Sequence, residues 1–228
     1  MPRSLCLKLF GVALAAAFTA GGAQAAAIVK DLSNPTSIPG LTGFATTGAM
    51  MNGLSVTANF VGGFSQTLLW ATTGANSGGV TGTGWGLSLD GDTFSANWNF
   101  VFAPGASLQL TSLVLDGTNA LTILDTTNPS PGTQDSASGA DFAIVGDATL
   151  DAATTATYSS VVGVSPNGPV GDLFQVVSVS FGPNGVRSDF AFRQDTDNDA
   201  RLTVPEPSTL ALAGLLLAGM GAVARRRR

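Results

Sequence analysis

Trp85-Gly86-Leu87-Ser88-Leu89-Asp90-Gly91-Asp92-Thr93-Phe94-Ser95-Ala96-Asn97-Trp98-Asn99-Phe100-Val101-Phe102 is the stretch that decides the fold class. Its apolar residues fall on alternate positions, first Trp85, Leu87 and Leu89, then Phe94, Ala96, Trp98, Phe100 and Phe102. Successive side chains of an extended strand point to opposite faces, so a period of two lays one apolar face on a core. Between the runs, Asp90-Gly91-Asp92 supplies a residue free to take the positive φ that a tight hairpin turn demands. The stretch reads as a hairpin, with Phe94 to Phe102 as its stronger strand.

The same signal recurs on both sides. Leu54, Val56, Ala58 and Phe60 alternate with Ser55, Thr57 and Asn59. Downstream, Leu108 to Leu115 meets Asp116-Gly117 before Ala120 to Leu124, a second predicted hairpin. Ser159 to Val164, Leu173 to Phe181 and Asp189 to Arg193 follow as strands, with Asn167-Gly168 and Asn184-Gly185 as turn dipeptides between them. Gly, Thr, Ser, Asn and Asp are abundant while Lys, Glu and Gln are scarce, and no stretch between the two ends of the chain shows helical periodicity. The expectation is an all-β fold, a two-sheet β-sandwich of jelly-roll type, over residues 26–203. Two parts read as irregular: Ala26 to Gly48, an extended lead-in or edge, and Thr126 to Ala140, a long polar loop.

The flanks differ from this segment. Met1 to Ala25 has a basic start (Arg3, Lys8), an apolar run from Leu9 to Ala20, and a small-x-small pattern at Ala23 and Ala25. That is the layout of a secretory signal peptide, with Ala26 as the expected new N-terminus. Cys6 precedes the apolar run, where a lipidated cysteine would not lie. Residues 204–228 comprise Pro205-Glu206-Pro207, an uncharged run from Thr209 to Ala224, and Arg225, Arg226, Arg227 and Arg228. As a helix the uncharged run would measure about 24 Å, short but serviceable for a hydrocarbon core of about 30 Å. The arginines would hold its end on the cytoplasmic side, and the prolines would keep the backbone before it extended.

This order of Pro-Glu-Pro, apolar run and terminal arginines resembles the PEP-CTERM sorting signal of bacterial surface proteins. The resemblance implies an exosortase as partner, with Pro205, Glu206 and Pro207 as its recognition element, and a link to exopolysaccharide and biofilm. It also implies transient membrane anchoring followed by delivery to the cell surface or medium. The alternative for the apolar run is an ordinary anchor that stays in the membrane. The stretch Thr126 to Thr133, with Ser138-Gly139-Ala140-Asp141-Phe142, is likewise similar to a loop of PEP-CTERM ectodomains.

Composition narrows the chemistry. Residues 26–203 contain neither histidine nor cysteine, which excludes imidazole bases, thiolate nucleophiles, disulfides and the preferred zinc ligands. Four cations (Lys30, Arg187, Arg193, Arg201) stand against fourteen aspartates, a net charge of −10 that repels nucleic acid. No catalytic residue is assigned, and the expected protein is not an enzyme. A glycoside-active enzyme using paired aspartates such as Asp90 and Asp92 is the remote alternative. A carbohydrate-binding module stacking sugars on Trp85 and Trp70 is the nearer one, since glycines flank Trp85, whereas Trp98 reads as core. Asp195-Thr196-Asp197-Asn198-Asp199 imitates the start of an EF-hand loop, but Ala200 replaces its glycine and Pro205 and Pro207 deny it an exiting helix. Asp195, Asp197 and Asp199 remain a weak Ca2+ candidate, beside the plainer reading of a solvated acidic linker that presents the processing site. No other cofactor is expected.

Overall fold

The computed structural model describes residues 25–42, 45–129, 131–134 and 136–200. Its strands, in chain order, are β1 (Ala27–Lys30), β2 (Thr36–Ile38), β3 (Leu41–Thr42), β4 (Ser55–Phe60), β5 (Ser65–Leu69), β6 (Ala71–Thr72), β7 (Ser77–Gly82) and β8 (Trp85–Asp90). There follow β9 (Trp98–Phe102), β10 (Leu110–Asp116), β11 (Thr122–Asp125), β12 (Ala143–Val145), β13 (Thr155–Val164), β14 (Leu173–Ser180), β15 (Phe190–Arg193) and β16 (Asp195–Asp199). Helix is confined, among the described residues, to a single 3-10 turn at Gly48–Met50 and to α1 (Ala148–Ala153). Asp147 caps α1 by accepting from the backbone N–H groups of Thr149 and Leu150. No helix among the described residues is long and apolar enough to cross a membrane.

Two sheets result. The larger runs β3-β16-β11-β14-β10-β4-β5, with β13 also on β14 and with β1 and β2 on β13. The smaller runs β12-β15-β9-β8-β7-β6. All pairing is antiparallel except that of β1 and β2, which lie parallel to successive halves of β13. Those two strands and β3 realise the extended, edge-lying lead-in expected before residue 48. Apolar faces of both sheets form one core: Val56, Ala58, Leu113, Leu115, Val177 and Val179 from the larger, Trp85, Leu87, Trp98, Phe100 and Phe192 from the smaller. A second, small apolar cluster holds Ile38, Ile123, Val162, Val164 and Leu173.

The period-two reading succeeds over β4, whose residues alternate between half-buried and buried, and over β8. It overreaches at Phe94, which lies outside β9 and is 51% exposed. There the Asp92 carboxylate accepts from the Phe94 N–H, so the connection turns through several more residues before the strand begins. The second predicted hairpin is corrected. β10 and β11 do not pair with each other; both lie antiparallel on the same side of β14. The chain leaves that line at Gly117, whose N–H still bonds Gln175 O, makes a detour, and resumes at Leu124 opposite Phe174. A Cβ on Gly117 would lie 2.1 Å from Thr122 O, so only glycine fits where the detour closes.

Single residues carry the chain between sheets at two places. Trp70 links β5 to β6 and Gln194 links β15 to β16, and both are buried. Trp70 Nε1 donates to Gly48 O at 2.7 Å. Gln194 accepts from Tyr158 Oη at 2.5 Å and donates to Asp195 O at 2.8 Å, while its own carbonyl accepts from Trp98 Nε1 at 2.8 Å. Burying a polar crossing requires such partners. The Gln194 crossing delivers the chain into β16.

Candidate functional site

Among the described strands β16 is the most polar and one of the most enclosed. Asp195, Thr196, Asp197, Asn198 and Asp199 are all buried, between 1% and 8% exposed. The strand lies between β11 and β3, with Asp195 opposite Asp125, Asp197 opposite Ile123 and Asp199 opposite Leu41. The reading of this run as a solvated linker is therefore corrected: it is an interior strand of the larger sheet. Extended geometry also removes the EF-hand reading, because a strand spreads Asp195, Asp197 and Asp199 along one face at intervals of about 7 Å instead of wrapping them round one ion.

The strand's position brings Asp197 and Asp195 to Asp125, the last residue of β11. Like charges directly opposite on neighbouring strands repel, and here they do so away from water. Ser136 Oγ stands 3.2 Å from Asp125 Oδ2 and 3.3 Å from Asp197 Oδ2. A hydroxyl has one proton to donate, so Ser136 serves one carboxylate at a time. Asp125 Oδ1 is buried without a partner, and the residue is 1% exposed. Burial, then the nearby charges of Asp197, Asp195 and Asp172, push the Asp125 carboxyl up to about 9. Burial, then Asp195, lifts Asp197 to about 7. Burial lifts Asp195 to about 6, against hydrogen bonds from Thr93 and Thr196 that favour its charge.

The remaining acids nearby are differently placed. Asp195 Oδ1 accepts from Thr93 Oγ1 and from Thr196 N, each at 2.8 Å. Asp172 accepts from Thr133 N at 2.7 Å and Thr133 Oγ1 at 2.6 Å. Lys30 pairs with Asp141 at 3.4 Å and bonds Thr126 Oγ1 at 2.9 Å. Among the described residues no lysine or arginine pairs with Asp125, Asp195 or Asp197. No group of three acidic, imidazole or thiol side chains among them forms a ready-made metal centre.

The polar loop after β11 is the lid of this cluster. Among its described residues it has no strand or helix until β12, and it reaches inward through Thr126, Thr133 and Ser136. Gly139 lies directly on the acid: a Cβ there would sit 2.4 Å from Asp125 Cγ. Nothing in the apolar pattern marks Asp125, Ser136 or Thr133, because that pattern ends at Leu124. The available signal was charge arithmetic, since four cations cannot pair fourteen aspartates.

The aromatic candidates lie elsewhere. Trp70, Trp85 and Trp98 are 1%, 2% and 0% exposed, so the expectation that Trp85 and Trp70 present open faces to sugars is corrected. Trp85 stacks on Phe100 at 5.4 Å with the rings 5° from parallel, and its Nε1 donates to Gln66 Oε1 at 3.0 Å. Gly82 marks tight packing against it: a Cβ there would lie 2.3 Å from the Trp85 indole nitrogen. Trp98 is core, as expected.

Ala23, Pro205, Glu206, Pro207, Arg225, Arg226, Arg227 and Arg228 lie outside the described residues, and Ala25, the first described, is exposed. A family model described as the PEP-CTERM protein-sorting motif matches residues 203–228, the segment for which that resemblance was expected. Neither a curated protein nor a solved structure matches the chain.

Proposed function

We propose that this is a non-enzymatic exported protein of the cell surface or extracellular matrix, processed by an exosortase. Its two sheets make a β-sandwich ectodomain over residues 26–203, delivered by the signal peptide at residues 1–25. The observation that carries the reading is the sorting motif at residues 203–228. In this reading Pro205, Glu206 and Pro207 are what the exosortase engages, the apolar run from Thr209 holds the chain in the membrane, and Arg225 to Arg228 stop transfer.

The fold supports this division of labour. β16 is hydrogen-bonded on both sides, to β11 and β3, so backbone before Ala200 is occupied in the sheet. A protease requiring extended, accessible chain meets it only beyond that point. Five residues separate Asp199 from Pro205 and reach about 17 Å when extended, so the ectodomain would be processed close to the membrane surface. The absence of histidine and cysteine from residues 26–203 and the burial of the acid cluster both favour a structural role. The association with exopolysaccharide follows from the family resemblance and involves no exposed tryptophan.

Intact-mass measurement of the protein recovered from the surface or medium of producing cells tests the proposal. A species that begins at Ala26 and ends near Pro205 is expected. One that retains Arg225 to Arg228 would make this a membrane-anchored protein and overturn the assignment.

A further inference from the structure

We infer that Asp125 and Asp197, with Ser136 Oγ between them, form a binding site for a hard divalent cation, Ca2+ by its ligand chemistry, enclosed by the loop that follows β11. Two carboxylates flank one hydroxyl that can satisfy a single one of them. Independently, Asp125 Oδ1 is buried and without a hydrogen-bond partner, an acceptor oxygen with nothing to meet. A shared proton would leave that need in place: carried on Oδ1 it finds no acceptor, and carried elsewhere it leaves Oδ1 bare. A cation answers both observations at once.

The donor set selects the ion. Every ligating atom on offer is oxygen, and residues 26–203 contain no thiol or imidazole, which favours Ca2+ or Mg2+ over zinc or copper. Ca2+ accepts carboxylate, carbonyl and water oxygens in flexible numbers, whereas Mg2+ demands near-octahedral order. Two carboxylates and a hydroxyl beneath an irregular loop suit the more tolerant ion, with water and main-chain oxygens completing its shell. Asp195 and Asp172, already engaged by Thr93, Thr196 and Thr133, add negative field without being ligands. The site thus differs from the Asp195, Asp197 and Asp199 set read from the sequence: it keeps Asp197 and takes its partner from β11.

The test uses protein recovered from producing cells and stripped with EGTA. Equilibrium dialysis with radioactive Ca2+ should show one site per chain with a Kd on the order of 10⁻⁴ to 10⁻³ M, as in other extracellular calcium modules. Adding Ca2+ should raise the melting temperature by several degrees, and Mg2+ at the same concentration by less. Asp125→Asn and Asp197→Asn should each weaken binding at least about tenfold. Asp125→Asn should also melt higher than the wild type in EGTA, because an amide there does not repel the carboxylates of Asp195 and Asp197, and gain nothing from Ca2+. Should Asp125→Asn not fold, the wild-type dialysis and Asp197→Asn still decide the matter. No Ca2+ bound and an unmoved transition in the wild type would overturn the inference, as would Asp197→Asn binding as tightly as the wild type.

Discussion

The aromatic centre of the molecule and the corner around β16 are equally buried and chemically opposite. At the centre Trp70 and Trp98 meet at 5.0 Å, Trp98 stacks on Phe192 at 5.6 Å, and the Trp98 and Trp70 indole N–H groups each find a carbonyl. Every group there is satisfied by the chain itself. At the corner, Asp125 and Asp197 face one another across a shared serine, with no lysine or arginine paired to either among the described residues. Removal from water stabilises the first region and costs the second. The centre holds the fold together, whereas the corner makes its stability depend on what the surroundings provide.

Trp98→Ala is the largest way to break that comparison. Truncating a fully buried indole costs about 3–5 kcal/mol and also leaves Gln194 O without its donor. In urea unfolding the midpoint should fall far enough to threaten folding altogether, and no ion should restore it. A tryptophan variant as stable as the wild type would mean that the sheets are not held by this core.

Second in size is the pH response of the corner, measured in chelator. The Asp125, Asp197 and Asp195 carboxyls are lifted to about 9, 7 and 6 in the folded protein, against an ordinary value near 4. The folded state therefore holds protons that the unfolded chain has already released. Their stabilisation is complete below about pH 4 and is lost as pH rises through those values, at up to about 1.4 kcal/mol per pH unit for each proton held. Asp172 and Asp92 add to the negative field on these groups, and Lys30 is engaged with Asp141. Urea midpoints from acid to mildly alkaline pH should fall steadily in EGTA and much less in Asp125→Asn. A flat profile for the wild type would mean that the corner is not short of positive charge.

The two regions were unequally legible. Burial by apolar alternation is written locally, so Val56, Ala58, Leu87, Trp98 and Phe100 could be placed inside from their neighbours alone. What periodicity cannot carry is pairing between distant segments. Asp116-Gly117 has the chemistry of a hairpin turn, yet β14, some sixty positions on, offers a line that both flanking strands occupy. The polarity of Asp195 to Asp199 argued for water, and only its pairing with β11 and β3 shows an interior strand. The glycines around Trp85 have two physical uses, opening a surface or admitting a large ring, and composition alone does not choose between them. The sorting motif was readable in full because its meaning lies in the order of its parts along the chain.

A pair of glycine substitutions makes the smallest and sharpest test. Gly139→Ala would put a Cβ 2.4 Å from Asp125 Cγ and 2.6 Å from the Asp125 backbone C and O. Backbone cannot swing aside as a side-chain tip can, so the loop must lift, at about 1–3 kcal/mol. Lifting it admits water to the acids, so this loss should shrink as pH rises, where the acids gain most from hydration. Gly86→Ala, on the smaller sheet, meets only Val80 O at 3.4 Å and Val101 Cγ2 at 3.6 Å, which is ordinary contact. There the restriction of the unfolded chain should prevail and leave the protein unchanged or up to about 1 kcal/mol more stable. Opposite signs in the two urea midpoints would show that loop and acid are in direct contact, whereas equal losses would mean that Gly139 is valued for its backbone freedom and that the lid does not bear on Asp125.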